Sequence, residues 1–141
     1  MINWYKKVVF ENYANFSGRA RRSEFWYFIL ANSIIALVLY IPMLYSIINI
    51  DPYTEEIGST FFIFYGILML YSLATFIPNL ALTVRRLHDV GKSGWFYLVG
   101  IIPFVGAILL LYWFCQDGEL NENKWGHNPK NNYSDIDEIG A

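Results

Sequence analysis

The sequence is short of the residues from which a reaction is usually read. Its single cysteine, Cys115, excludes an intramolecular disulfide and a cysteine-rich zinc site. Two histidines, His88 and His127, leave any metal centre to carboxylates from separate segments. Charge is scarce, at 16% of residues against 55% hydrophobic, and is missing altogether from Phe25–Ile48, Ile57–Val84 and Gly94–Gln116. With no Asp, Glu, Lys, Arg or His in these runs, the relays on which coupled transport is built are absent from them. No small-residue cleavage site follows the first run, which is therefore expected to stay in the mature protein.

What is present is apolar length. A helix of roughly 20 apolar residues crosses a bilayer core of about 30 Å, and each charge-free run meets that length. The expected fold is all-α: a polytopic helical membrane protein with three transmembrane segments, about 25–48, 59–84 and 95–115. These segments belong to a membrane domain of residues 1–116, followed by a polar, mobile tail of residues 117–141. Pro42 and Pro78 are expected to kink the first two spans. The third run has Pro103 between Gly100 and Gly106 and admits either one kinked span or a re-entrant hairpin. Length and backbone satisfaction favour the span, which is adopted, with the hairpin as its alternative.

Orientation follows from the basic residues, five before the first span, three in 85–92 and two in the tail, with none between the first two runs. The positive-inside rule places the N-terminus in the cytoplasm and the loop bearing Asp51, Glu55 and Glu56 on the far side. A hairpin would return the tail to the cytoplasm; a third span would not. Residues 2–16 put Tyr5, Val9, Tyr13 and Phe16 on one side at helical spacing, which suits an N-terminal interfacial amphipathic helix or one packed on the protein. Ser23 is the expected cap of the first span, with Glu24 complementing the helix dipole. Thr75, Asn79 and Thr83 form an i+4 polar stripe. Bonding to a neighbouring helix is its favoured use; lining an oligomeric channel is the other.

Two basic motifs carry the functional expectation. Arg19, Arg21 and Arg22 precede the first span, and Arg85, Arg86, His88, Asp89 and Lys92 follow the second. Together they are the expected binding residues for anionic lipid headgroups or a membrane-protein partner, including a second copy of the chain. Nucleic acid is not expected as a partner. Gly91-Lys92-Ser93 imitates the end of a phosphate-binding loop, but Arg86 stands where its first glycine belongs. On a continuing helix, Arg85 and Asp89 form an i,i+4 pair, and Gly91 is the expected stop. His88 and Asp89 point about 100° apart on a helix and make no dyad by themselves. The tail's Asp117, Glu119, Asn121 and Asn123 alternate like a calcium loop, yet Glu122 occupies the glycine position. The reading is therefore of no enzyme, no cofactor and no metal site.

Three ordered motifs, Gly18-Arg19-Ala20-Arg21-Arg22-Ser23-Glu24-Phe25-Trp26, then Arg85-Arg86-Leu87-His88-Asp89 with Gly94-Trp95, then Asn123-Lys124-Trp125-Gly126-His127-Asn128-Pro129, resemble the domain-of-unknown-function 805 family. The similarity runs from Trp4-Tyr5 to Pro129. It implies a bacterial inner-membrane protein and supplies no catalytic residue. Where the family pattern has Gly-Thr-Pro-Gly before Asn-Arg-Phe-Gly, this chain has Asp117-Gly118-Glu119-Leu120-Asn121-Glu122, so a role tied to that turn does not carry over.

Overall fold

Long unbroken apolar runs form helices because a backbone away from water must satisfy its own hydrogen bonds. The computed structural model describes residues 1–50 and 58–131, so Asp51, Glu55, Glu56 and the last ten residues of the tail lie outside the described residues. Regular structure among the described residues is helical, apart from a single bridge between Asn123 and Gly126. Helix α1 (Ile2–Lys6) widens into a π-type turn over Lys7–Glu11. Helices α2 (Arg22–Ile48) and α3 (Ser59–Asp89) follow, both running through their internal prolines, Pro42 and Pro78. A 3₁₀ helix (Gly94–Ile101), α4 (Val105–Cys115) and a 3₁₀ turn (Pro129–Asn131) complete the order.

The chain divides into two compact units. One, Ile29–Phe76, contains the apolar lengths of α2 and α3. Leu37, Ile41, Leu70 and Leu73 are exposed there, and the Tyr71 hydroxyl bonds the Asn32 side chain. Helices α2 and α3 are both long and apolar enough to cross a membrane, and the most apolar stretch of α3 has no buried residue. A helix in the core of a water-soluble protein is buried; this one presents hydrocarbon outward.

The other unit joins Met1–Phe28 to Ile77–Ala141. Its core holds Val8, Ala20, Phe28, Ala81, Leu82 and Leu87, all fully buried, with Tyr5 stacked on Phe28 at 5.5 Å and Phe25 against Phe114 at 4.5 Å. The N-terminal helix differs from its expected form. It ends at Glu11, and Trp4 and Val8 are its buried pair, one turn apart, while Tyr13 and Phe16 lie past its end and exposed. Ser23 is not a cap: α2 has begun by Arg22, and the Arg21 carbonyl accepts the Phe25 N–H at 3.1 Å.

The end of α3 is as expected. Gly91 at φ +74° lets the Lys92 N–H reach the Leu87 carbonyl at 2.9 Å and its own N–H reach that of His88 at 3.1 Å, a Schellman closure only a left-handed residue permits. Beyond it, the third apolar run is not one straight helix. Its 3₁₀ and α-helical arms fold against each other across residues 102–104, and Phe96 meets Trp113 edge-to-face at 5.5 Å. Phe104 turns the chain at φ +60°, and Gly106 lies so close to the Val99 carbonyl that a Cβ would overlap it. Residues 94–115 thus fold back on themselves as two short arms, where one kinked helix was expected.

Candidate functional site

The three sequence motifs meet around Asp89. Its carboxylate accepts Arg19 Nε at 3.0 Å on one oxygen and Arg86 Nη1 at 2.5 Å on the other, with both guanidinium groups almost wholly buried. A buried carboxylate is tolerable only when paired and hydrogen-bonded, and two arginines supply that here. The expected Arg85–Asp89 pair does not form. Arg85 instead meets Glu24 of α2 at 3.0 Å, a second buried ion pair.

The arginine N–H groups left over by Asp89 go to backbone carbonyls. Arg86 donates to Trp113, Phe114 and Gln116, and Arg22 to Cys115 at 3.1 Å. These carbonyls belong to the end of α4, where four acceptors lack intrahelical partners and the dipole is negative. Two arginines therefore cap the returning arm of the hairpin. Arg19 donates to the carbonyls of Glu119, Asn121 and Gly126, which draws residues 119–126 across the cluster.

Residues 117–131 have few apolar side chains, and polar contacts hold them. The Glu119 N–H bonds the Asp89 carbonyl at 2.9 Å and Asn123 Nδ2 bonds that of His88 at 3.0 Å. The Trp125 ring stacks on His88 at 4.5 Å, while His88 Nδ1 lies 3.1 Å from the Gly18 carbonyl. Gly118 passes so near the Asp89 carboxylate that a Cβ would overlap it.

Of the eight expected binding residues, Arg19, Arg85, Arg86, His88 and Asp89 are thus buried in an internal network, out of direct reach of a headgroup at the surface. Lys92 lies over the Phe96 and Trp113 rings at 6.0 and 5.8 Å. Arg21 and Arg22 remain, and with Ser23, Asp117 and Lys130 they line a cleft of about 380 Å³ at the start of α2. Within it, Asp117 accepts Lys130 Nζ at 3.1 Å and lies 3.6 Å from Arg22. The Lys130 ammonium, with Arg22 behind it, holds the Asp117 carboxyl below the ordinary carboxylate range. Three cations face one carboxylate there.

A family model described as "Protein of unknown function (DUF805)" matches residues 13–127, a stretch containing every arginine of the cluster and residues 119–126, the strap drawn across it. The chain belongs to the DUF805 family. Inner membrane protein YhaI of Escherichia coli (strain K12) is 41% identical over 130 residues, 92% of this chain and 97% of the relative. Inner membrane protein YhaH of the same organism is 38% identical over 130 residues, covering 92% and 98% of the two chains. No solved structure matches. With two exposed apolar helices of spanning length, this DUF805 protein is a membrane protein of a family without an assigned activity.

Several residues of this DUF805 site carry no local sequence signal for the contacts they make. The helix-dipole role expected of Glu24 misses its pairing with Arg85, and neither the calcium-loop spacing of Glu119 and Asn123 nor the motif around Trp125 points to the contacts that these residues and Gly118 make with His88 and Asp89. The visible signal was the motif at 123–129, dense in turn-forming residues around one tryptophan. The Thr75 and Thr83 hydroxyls bond the carbonyls of Tyr71 and Asn79 on their own helix, at 2.9 and 2.8 Å, rather than a neighbouring helix. Among the described residues, no group of three or more His, Cys, Asp or Glu is placed to hold a metal ion.

Proposed function

We propose that this DUF805 protein is a multi-pass inner-membrane protein with its N-terminus in the cytoplasm, and that it binds anionic lipid headgroups at the cleft of Arg21, Arg22, Ser23 and Lys130. The observation that carries this reading is the charge of the cleft: Arg21, Arg22 and Lys130 against Asp117. Phosphate groups of lipids match that excess, and the exposed rings of Trp26 and Tyr27 one turn further along α2 suit the headgroup layer. The buried cluster then lies behind the cleft: Arg86 shares the end of α4 with Arg22, while Arg21 itself donates to the Pro129 carbonyl at 3.0 Å, one residue before Lys130. The reading is of binding rather than catalysis, since His88 is committed to Gly18 and Trp125.

The test is lipid retention by purified protein in native mass spectrometry. Each cation near a membrane surface is worth about 1 kcal/mol, so Arg21→Gln with Arg22→Gln should weaken phosphatidylglycerol retention roughly thirty-fold. Phosphatidylethanolamine should change far less. Equal retention of phosphatidylglycerol by wild type and variant would sink the proposal, and a co-purifying protein lost from the variant would replace lipid with a protein partner.

A further inference from the structure

We infer that residues 94–115 form a membrane wedge that enters the cytoplasmic leaflet alone and packs against its acyl chains. The inference rests on the cytoplasmic orientation proposed above for the basic face. Its first support is length. Eight residues of 3₁₀ helix at about 2.0 Å each, and eleven of α-helix at about 1.5 Å each, both give arms of roughly 16 Å, half of a hydrocarbon core of about 30 Å.

The second support is the placement of aromatic residues. Trp95-Phe96-Tyr97 opens the run and Tyr112-Trp113-Phe114 closes it, with aliphatic residues and glycine dominating between. Such rings belong at the membrane interface. On one continuous helix, Phe96 and Trp113 would stand about 26 Å apart at 1.5 Å per residue. Here they touch at 5.5 Å, with the Lys92 ammonium over both rings, so the two aromatic belts occupy one interface instead of two.

The third support is the turn. Non-helical backbone inside hydrocarbon is tolerable only if its polar groups are satisfied. The carbonyls of Val99, Ile102, Pro103 and Phe104 accept the N–H groups of Ile102, Gly106, Val105 and Ile108, at 2.7 to 3.1 Å, and Pro103 has no N–H, so that among the turn's donors at 102–106 the Phe104 N–H alone lacks a backbone acceptor. Side chains at the tip point outward: Phe104 is 86% exposed and Ile101 77%. Among residues 94–115 only Gly106 is buried. The surface presented is hydrocarbon, and the charges of Arg22, Arg86 and Lys92 stay at the root.

Full-length protein carrying Cys115→Ser tests this. Single cysteines at Lys6, Phe104 and Glu122, with Ile101→Cys as a second tip position, are treated with a membrane-impermeant maleimide in spheroplasts and in inside-out vesicles. Bimane at the tip is then quenched by lipids brominated at different depths. The wedge requires labelling of positions 6 and 122 in inside-out vesicles only, no labelling of the tip from either side, and strongest tip quenching by bromines near the chain ends. Labelling of position 122 but not 6 in spheroplasts would overturn it in favour of a third span. Strongest quenching near the headgroups would overturn it in favour of a hairpin lying on the surface. Labelling of both 6 and 122 in spheroplasts would instead reverse the orientation, and the cytoplasmic assignment would fall with the fold-back intact.

Discussion

Asp89→Asn probes the centre of the structure with nearly no change of shape. The substitution removes one negative charge and leaves the guanidinium groups of Arg19 and Arg86, 1% and 0% exposed, facing each other without a counter-ion. Removing one partner of a buried ion pair costs about 3–5 kcal/mol, a large share of the roughly 5–15 kcal/mol by which proteins are stable. At about 3 °C per kcal/mol for a chain of this size, the melting midpoint should fall by about 10 °C. Arg19 also holds the carbonyls of Glu119, Asn121 and Gly126, so cleavage by added protease within 117–131 should begin below that midpoint. The assay is thermal unfolding in detergent by tryptophan fluorescence, paired with limited proteolysis. A midpoint within about 2 °C of wild type would refute the role given to Asp89, since even the weakest of these costs exceeds that shift.

Asp117→Asn removes the one carboxylate of the cleft and should tighten phosphatidylglycerol retention about five-fold, the equivalent of roughly one unit charge near a membrane surface. Because the Asp117 pKa is lowered in the fold, its ion pairs are complete above the ordinary carboxylate value of about 3.9 and are lost as pH falls through the lowered value. The difference between Asp117→Asn and wild type should therefore vanish on strong acidification; a gap that persists would separate the effect from the carboxylate charge. Gly106→Val drives a side chain into the Val99 carbonyl and should cost about 1–3 kcal/mol by overpacking, read as a lower melting midpoint with loss of the Phe96–Trp113 contact. Trp125→Ala removes the His88 stack, worth about 0.5–1.5 kcal/mol beyond burial, and should expose the strap to protease; unchanged cleavage would show that polar contacts alone hold it.

Much of the architecture is legible in the sequence for a simple reason. Helices α2 and α3 rest on local hydrophobic runs, and the stop at Gly91 on a single residue's conformational freedom. The third run was harder because Pro103, Gly100 and Gly106 permit a kink and a turn equally, and the deciding contact, Gly106 on Val99, concerns how close two backbones come. The arginines were visible as a cationic face but not as a buried cluster. Asp89 has Arg85 one helical turn away, yet takes Arg19 from 70 positions upstream, and no periodicity reports a pairing of that span. The lack of apolar residues marks 117–141 as mobile, a criterion blind to the way 119–126 are held through their backbone carbonyls.

Arg19 also has a consequence for the timing of assembly. Its acceptor carbonyls lie 100, 102 and 107 residues later in the chain. At roughly 5–20 residues per second, a ribosome delivers them about 5–20 s after it has made the arginine. Throughout that interval Arg19 and Asp89 cannot be enclosed as they are in the finished molecule, however well the helices have inserted. A nascent chain stopped before Glu119 would therefore leave the charges of Arg19 and Asp89 open to solvent, and should be cleaved by protease faster than the finished protein.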